Sequence, residues 1–114
     1  MNTKRFCLYA RVAREDGFAL ENQVVRLRKF ADEHNLNVVS CDSEYGSANN
    51  LDRVALRHVT ELASGKEIDA VLILEPSRVY RNGFQYLDFV NKLNCIGVCV
   101  FSVLSLQRLL YGSR

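Results

Sequence analysis

The sequence predicts a three-layer α/β fold, in which a mostly parallel sheet of four to five strands carries helices on both faces. Two observations predict this fold. Apolar, strand-like runs alternate with amphipathic helical segments along the chain, and the connections between strands are long enough to hold a helix. A third observation sets the domain count: 114 residues, 48% of them hydrophobic, suffice for one domain with its own core.

The first half of the chain contains two strands with a helix between them. Residues 5–12 are mostly apolar and predict the first strand, and residues 36–41 predict the second. Asn35 is suited to end the intervening helix, because asparagine tolerates the left-handed backbone conformation. Polar residues 42–50 predict a surface loop. The apolar face of the helix consists of Leu20, Val24, Leu27 and Ala31.

The second half repeats the alternation. Asn50 is a candidate cap for a second helix that ends at Gly65. Residues 68–74 predict the third strand, residues 82–93 the third helix and residues 96–103 the fourth strand, and residues 104–111 are enough for about two helical turns. The inner face of the second helix is predicted to contain Ala55, Val59 and Leu62.

The third helix leaves two interpretations open. It is apolar around much of its circumference, which indicates either a helix buried in the core or a helix with one side in a protein interface. The residues responsible are Phe84, Tyr86, Leu87, Phe89, Val90 and Leu93. The cysteines lack zinc-binding spacing, so we expect buried reduced thiols and no metal site at Cys7, Cys41, Cys95 and Cys99.

Arginines follow two of the predicted strands. Arg11 lies at the end of the first strand, Arg78 and Arg81 follow the third, and Arg53 lies near the start of the second helix. If the first and third strands are neighbours, these guanidinium groups meet at one edge of the sheet, where ligands of such folds bind. Several arginines in one crevice suit a phosphate group, although each arginine alone could simply pair with a surface carboxylate.

Four short motifs carry a resemblance to a known family. They are Tyr9-Ala10-Arg11-Val12, Leu20-Glu21-Asn22-Gln23, Asp52-Arg53 and Arg78-Val79-Tyr80-Arg81. In this order and at these spacings, the chain resembles the catalytic domain of the serine recombinases, the resolvase/invertase family, over roughly residues 6–103. The resemblance implies site-specific recombination: a serine hydroxyl attacks a DNA phosphate without a metal or cofactor.

The resemblance also implies roles for individual residues. It assigns the binding of a DNA phosphate and the stabilisation of its transition-state charge to Arg11, Arg53, Arg78 and Arg81, with a supporting polar role for Gln23. It implies DNA and recombinase subunits, identical or related, as partners. However, the family's nucleophilic serine is replaced by Ala13, which has no hydroxyl group.

Further departures accompany Ala13. Ser77 stands where the family often has aspartate, Tyr45 stands where serine precedes Gly46, and Val54 replaces a proline. Either the natural protein has lost its chemistry, or an active enzyme was altered at position 13. We expect a catalytic-domain-like unit over residues 1–103 and a short tail over residues 104–114, without a separate DNA-reading module.

Composition limits the partners. A net charge of +2 is too small to indicate a general nucleic-acid binder, so any DNA contact must be local. We expect a cytoplasmic protein without a membrane span, because no apolar run reaches about 20 residues. Three functions stay open: a domain that binds DNA phosphate or recombinase subunits without cutting, a protein-interaction module of the same fold, and a recombinase whose serine was replaced.

Overall fold

A computed structural model describes residues 3–46 and 53–111 of the chain. Strands and helices alternate along it, as the sequence predicts. In chain order the elements are β1 (Arg5–Val12), α1 (Gly17–Glu33), β2 (Asn37–Tyr45), α2 (Val54–Ser64), β3 (Ala70–Ile73), a 3₁₀ turn (Pro76–Arg78), α3 (Gly83–Cys95), β4 (Cys99–Ser102) and α4 (Val103–Tyr111).

The sheet is parallel throughout the described residues and has the strand order β2-β1-β3-β4. Helices α2 and α3 pack on one face of it. Helices α1 and α4 pack on the other face. The three-layer α/β prediction is therefore confirmed, and the predicted neighbourhood of the first and third strands is correct.

Strand β1 lies in the middle of the sheet and is buried on both faces. Cys7 and Tyr9 belong to the core under α2 and α3, whereas Leu8 and Ala10 belong to the core under α1 and α4. None of these four side chains is exposed to solvent. Burial on both faces explains why this strand has a continuous apolar sequence instead of an alternating one.

Strand β2 corrects one prediction. It continues to Tyr45, so residues 42–45 form an edge strand and not the predicted loop. Its polar side chains are typical of a loop, but in the structure they bond to α2. An oxygen of Asp42 lies 2.8 Å from Nδ1 of His58. The remainder of the predicted loop, and the proposed cap Asn50, lie mostly outside the described residues. Arg53 takes the N-cap position of α2.

Helix boundaries agree better with the sequence. Asn35 follows α1 with a φ of 54°, which confirms the predicted left-handed residue. Gly65 ends α2 as predicted. On the inner face of α2, Val59 is buried as predicted, and Ala55 and Leu62 are partly buried against the same core. Leu56 and Ala63 are also buried there and were not predicted.

The C-terminal elements also differ in detail. Helix α3 extends to Cys95 and β4 is correspondingly short, beginning at Cys99. Helix α4 starts directly after β4 and packs through Val103 on the sheet. Of the four free cysteines, only Cys7 is fully buried, and Cys95 is exposed. Among the residues that the structure describes, no helix has the length and hydropathy of a membrane span.

Candidate phosphate-binding site

The sheet order places the end of β1 beside the turn that follows β3, and Arg11 connects the two. Its Nε donates to the carbonyl oxygen of Arg78 at 2.7 Å, and its Nη2 donates to that of Ser77 at 2.8 Å. Its Nη1 donates to the carbonyl oxygen of Gly46 at 2.5 Å. Only 4% of Arg11 is exposed. Its guanidinium therefore fixes the 3₁₀ turn and the end of β2 against β1.

Arg53 reaches the same turn from the start of α2. It donates to the carbonyl oxygen of Val79 and, through Nη2, to that of Arg78 at 3.1 Å. The same Nη2 lies 2.6 Å from the hydroxyl of Tyr9. The guanidinium also lies over the rings of Tyr9 and Tyr80, at 5.8 and 5.2 Å from their centroids. The carbonyl of Arg78 thus accepts hydrogen bonds from two buried arginines.

A carboxylate that the sequence reading did not single out completes this network. Glu44 accepts a 2.5 Å hydrogen bond from the hydroxyl of Tyr9, and its Oε2 lies 3.6 Å from Nε of Arg53. It also accepts from the backbone N–H groups of Ala55 and Leu56 at 2.9 and 3.3 Å. The anion at the N-terminus of α2 is therefore the protein's own Glu44.

Glu44 gave no signal in the sequence because it lies in a polar stretch that resembles a loop. Its effect on Tyr9 is nevertheless clear. Burial, together with the hydrogen bond to Glu44, raises the pKa of the Tyr9 hydroxyl above its ordinary value. Tyr9 therefore stays protonated and acts as a donor within the core.

Gln23 holds the end of β1 in a different way. Its Oε1 accepts from the backbone N–H of Arg11 at 3.1 Å, and its Nε2 donates to the carbonyl of Arg11 at 3.1 Å. Strand β1 pairs with β3 only through residues 6–8, so further along the strand the Gln23 amide supplies the bonds of a neighbouring strand. Gln23 is buried, and the hydrogen bonds of its side chain go to the Arg11 backbone.

The other two arginines are more accessible. The side chain of Arg78 is 31% exposed and lies 3.7 Å from Glu75. Its Nη1 is 3.5 Å from the carbonyl oxygen of Arg11. Within the described part of the chain, its Nε has no hydrogen-bond partner. Arg81 is exposed in the segment before α3. The structure thus brings Arg11, Arg53 and Arg78 together, with Arg81 three residues further along.

The cluster carries a concentrated positive charge. The pKa of Arg11 is lowered, first by burial and then by the nearby charge of Arg53, with a smaller contribution from Arg78. Glu44 and Glu75 are the carboxylates that lie near Arg53 and Arg78. Such a site favours an anion that approaches its open side.

Ala13 lies one residue beyond β1 and is exposed beside this cluster. The hydroxyl groups nearest to it in the network are already engaged. Tyr9 bonds to Glu44 and Arg53, and Oγ of Ser77 donates to Oε1 of Glu75 at 3.1 Å. Position 13, beside the clustered arginines, therefore carries no hydroxyl group.

Comparison with known families decides the classification. The family model described as "Resolvase, N terminal domain" matches residues 6–108. The chain belongs to the resolvase family. As a resolvase-family domain, it is a domain of the site-specific recombinases. A search of curated proteins gives no significant match.

Solved structures agree with this assignment. The resolvase-family domain is 31% identical to the C-terminal catalytic domain of ISC1926 TnpA, an IS607-like serine recombinase, with a TM-score of 0.79 over 87% of this chain and 69% of that chain. It is 25% identical to the N-terminal catalytic domain of TP901-1 integrase, with a TM-score of 0.80 over 90% and 78%. A resolvase family site-specific recombinase from Streptococcus pneumoniae is also 25% identical, with a TM-score of 0.78 over 90% and 74%.

Proposed function

We propose that this resolvase-family domain binds the phosphate backbone of DNA, alone or together with recombinase subunits in the cytoplasm, and does not cut it. The observation that carries the proposal is a cluster of three arginines beside position 13, where the side chain is a methyl group. Phosphoryl transfer to the protein requires a nucleophilic oxygen, and alanine has none. Binding and cleavage are therefore separated in this chain.

The arginines contribute to phosphate binding in two ways, by holding the backbone of the site and by contacting the phosphate. Arg11 and Arg53 are almost completely buried and hold the backbone of residues 77–79 through its carbonyl oxygens. Arg81 is exposed and the side chain of Arg78 is 31% exposed, so these two arginines make the direct contacts with phosphate oxygens. Gln23 acts indirectly, because it fixes the backbone of Arg11.

Strand cleavage tests the first part of the proposal. The protein and its Ala13→Ser variant are incubated with supercoiled plasmid carrying candidate recombination sites, and covalent protein–DNA complexes are trapped with denaturant. We expect no complex from the protein itself and a covalent complex from Ala13→Ser, because the arginines around the restored hydroxyl are in place. Ala13→Gly is the matched control, since it changes position 13 without adding a hydroxyl.

Two outcomes would contradict the proposal. A covalent complex formed by the unaltered protein would show that another hydroxyl performs the attack, and Ser77→Ala would identify whether Ser77 supplies it. If Ala13→Ser forms no complex and neither protein binds DNA, the arginine cluster has only a structural role in this chain.

Salt dependence tests phosphate binding without cleavage. Each phosphate contact that is lost reduces the slope of log affinity against log salt by about 0.9 for duplex DNA. We expect this reduction for Arg78→Gln and for Arg81→Gln, measured by fluorescence anisotropy of labelled duplex. Arg108→Gln is the matched control, because Arg108 is an exposed arginine on α4, away from the turn after β3.

A second candidate function is a protein-interaction module of the same fold. Exposed apolar side chains on two helices favour it: Leu87 on α3 is 57% exposed and Leu109 on α4 is 79% exposed. Sedimentation velocity measures self-association of the protein and of its Leu87→Glu and Leu109→Glu variants. Self-association that either substitution abolishes, in a protein without salt-dependent DNA affinity, would establish this function instead.

A further inference from the structure

Two segments at the edge of the sheet share a pattern that phosphate binding by Arg78 and Arg81 does not explain. Strand β1 is followed by Arg14, then by Asp16, Gly17 and Phe18. Strand β3 and its turn are followed by Arg81-Asn82-Gly83-Phe84. Each segment thus combines an arginine, a capping residue, a glycine and a phenylalanine. Because β1 and β3 are neighbouring parallel strands, both segments lie at the same edge.

Both phenylalanine side chains project into solvent. Phe18 is 83% exposed and Phe84 is 86% exposed. Arg14 and Arg81 are also exposed. The core of the protein therefore does not account for either ring, and two large aromatic side chains accompany two cations at one edge.

Helix caps fix the backbone that carries the two rings. Oδ1 of Asp16 accepts from the backbone N–H of Ala19 at 3.0 Å at the start of α1. Oδ1 of Asn82 accepts from the N–H groups of Phe84 and Gln85 at 2.8 and 3.1 Å at the start of α3. Each phenylalanine is thus the second residue of a capped helix, where its backbone is fixed. An aromatic side chain on a fixed backbone loses little entropy when it binds a flat partner.

The two helices lie on opposite faces of the sheet, α1 with α4 and α3 with α2. The arginine cluster lies at the end of the strands between them. Phe18 and Phe84 therefore flank the cluster, one from each layer of helices. A ligand that follows the edge passes a cation and a ring on each side of the central arginines.

We infer that Arg14, Phe18, Arg81 and Phe84 bind an unpaired nucleic-acid strand, with the guanidinium groups on its phosphates and the rings stacked on its bases. The inference rests on the proposed phosphate binding and adds the form of nucleic acid. A ring can stack on any base that is not paired and stacked within a duplex, whereas phosphates are present in both forms.

Charge favours a nucleic acid over a protein as the occupant. Each ring is accompanied by an exposed arginine and by the positive end of a helix, and exposed Glu15 adds a negative charge beside Arg14. The neighbouring cluster adds Arg11, Arg53 and Arg78, and Glu44 and Glu75 offset two of these three charges. Alternation of cations and aromatic rings is the chemistry of single-strand binding surfaces.

Tryptophan fluorescence can test the stacking directly, because the sequence contains no tryptophan. Phe18→Trp and Phe84→Trp are titrated with a short oligothymidylate at low salt, and with the same strand annealed to its complement. Leu109→Trp is the matched control, since Leu109 is similarly exposed but lies on α4. We expect strong quenching by the single strand at positions 18 and 84, little quenching by the duplex, and none at position 109.

Affinity gives a second readout. Anisotropy of the labelled single strand measures binding, and each of Phe18→Ala and Phe84→Ala is expected to weaken it by about fivefold to a hundredfold. Neither change should affect folding, because both side chains are exposed. The affinity of both variants for the duplex should change by less than about threefold, since the arginine contacts with phosphates are kept.

The outcomes separate this inference from the proposed function. Duplex binding that depends on Arg78, without quenching at positions 18 and 84, overturns the role of the rings and leaves phosphate binding intact. No binding of either nucleic acid overturns both. If Phe18→Ala and Phe84→Ala instead abolish self-association and leave single-strand affinity unchanged, the rings form a protein interface and the inference is wrong.

Discussion

Replacement of Arg53 by methionine provides the sharpest test of how the arginine cluster is built. Arg53 is only 6% exposed, and it serves the carbonyl oxygens of Val79 and Arg78, the hydroxyl of Tyr9 and the carboxylate of Glu44. Methionine fills a similar volume but cannot donate a hydrogen bond. Glu44 would then be a largely buried carboxylate without its cation.

The expected loss is large for one substitution. Removal of one partner from a buried ion pair typically costs about 3–5 kcal/mol. A domain of this size is stable by about 6–17 kcal/mol, from a stability of about 0.05–0.15 kcal/mol per residue. Arg53→Met should therefore remove between about a fifth and most of the folding stability and lower the Tm by about 12–20 °C.

Urea denaturation followed by far-UV circular dichroism measures this loss, with unchanged m-values as the condition for a two-state comparison. The free energy of unfolding of Arg53→Lys should fall between those of the unaltered protein and Arg53→Met, because an ammonium group keeps the charge but lacks the planar set of donors. Arg81→Met is the matched control and should change stability by less than about 0.5 kcal/mol, since Arg81 is exposed.

One result would refute this reasoning. If Arg53→Met costs less than about 1 kcal/mol, as the control does, then the buried contacts of Arg53 do not stabilise the fold. A double-mutant cycle with Glu44→Gln measures how much of this loss comes from the Arg53–Glu44 pair, for which we expect a coupling of about 0.5–3 kcal/mol.

Three further predictions concern the same architecture. Gln23→Met should destabilise the protein by about 2–3 kcal/mol in urea denaturation, because the N–H of Arg11 loses its partner and its C=O keeps only the 3.5 Å contact with Nη1 of Arg78. An effect below about 0.5 kcal/mol would contradict this role. Because the pKa of Tyr9 is raised in the folded protein, the unfolded chain releases this proton first as the pH rises, so the free energy of unfolding falls above a pH of about 10. Tyr9→Phe should make the fall of unfolding free energy with pH shallower by up to about 1.4 kcal/mol per pH unit. The same pH dependence in both proteins would contradict this prediction. Gly97→Ala should lower the folding stability by about 1–2 kcal/mol, because Gly97 has a φ of +84°. Gly83→Ala is the control and should be nearly neutral, since a Cβ at either glycine would meet no atom within 4 Å. Equal Tm shifts for the two variants would exclude backbone strain at Gly97 as the cause of the destabilisation.

Much of the fold could be predicted from the sequence, because inner strands of a parallel sheet are buried on both faces. That environment gives the apolar runs of β1 and β3, and with them the position of Arg11 at a strand end. The left-handed residue at Asn35 was predictable for a local reason, since few residue types adopt that conformation.

The contacts of the arginines were not predictable in the same way. A buried arginine needs acceptors, and here they are backbone carbonyls whose direction depends on the 3₁₀ turn after β3. Every residue has a carbonyl, so the sequence carries no mark of these acceptors. The prediction of a loop over residues 42–45 was wrong for a related reason, because Asp42 and Glu44 bond to residues of α2 that lie further along the chain.

The carbonyl of Arg78, which accepts hydrogen bonds from Arg11 and Arg53, has a consequence for how recombinase sequences are interpreted. The fold needs these two arginines whether or not the chain performs chemistry. Loss of the serine at position 13 would remove the selective pressure on catalysis but leave the pressure on Arg11 and Arg53 unchanged. An arginine signature of this kind therefore reports the fold of a domain and not its activity.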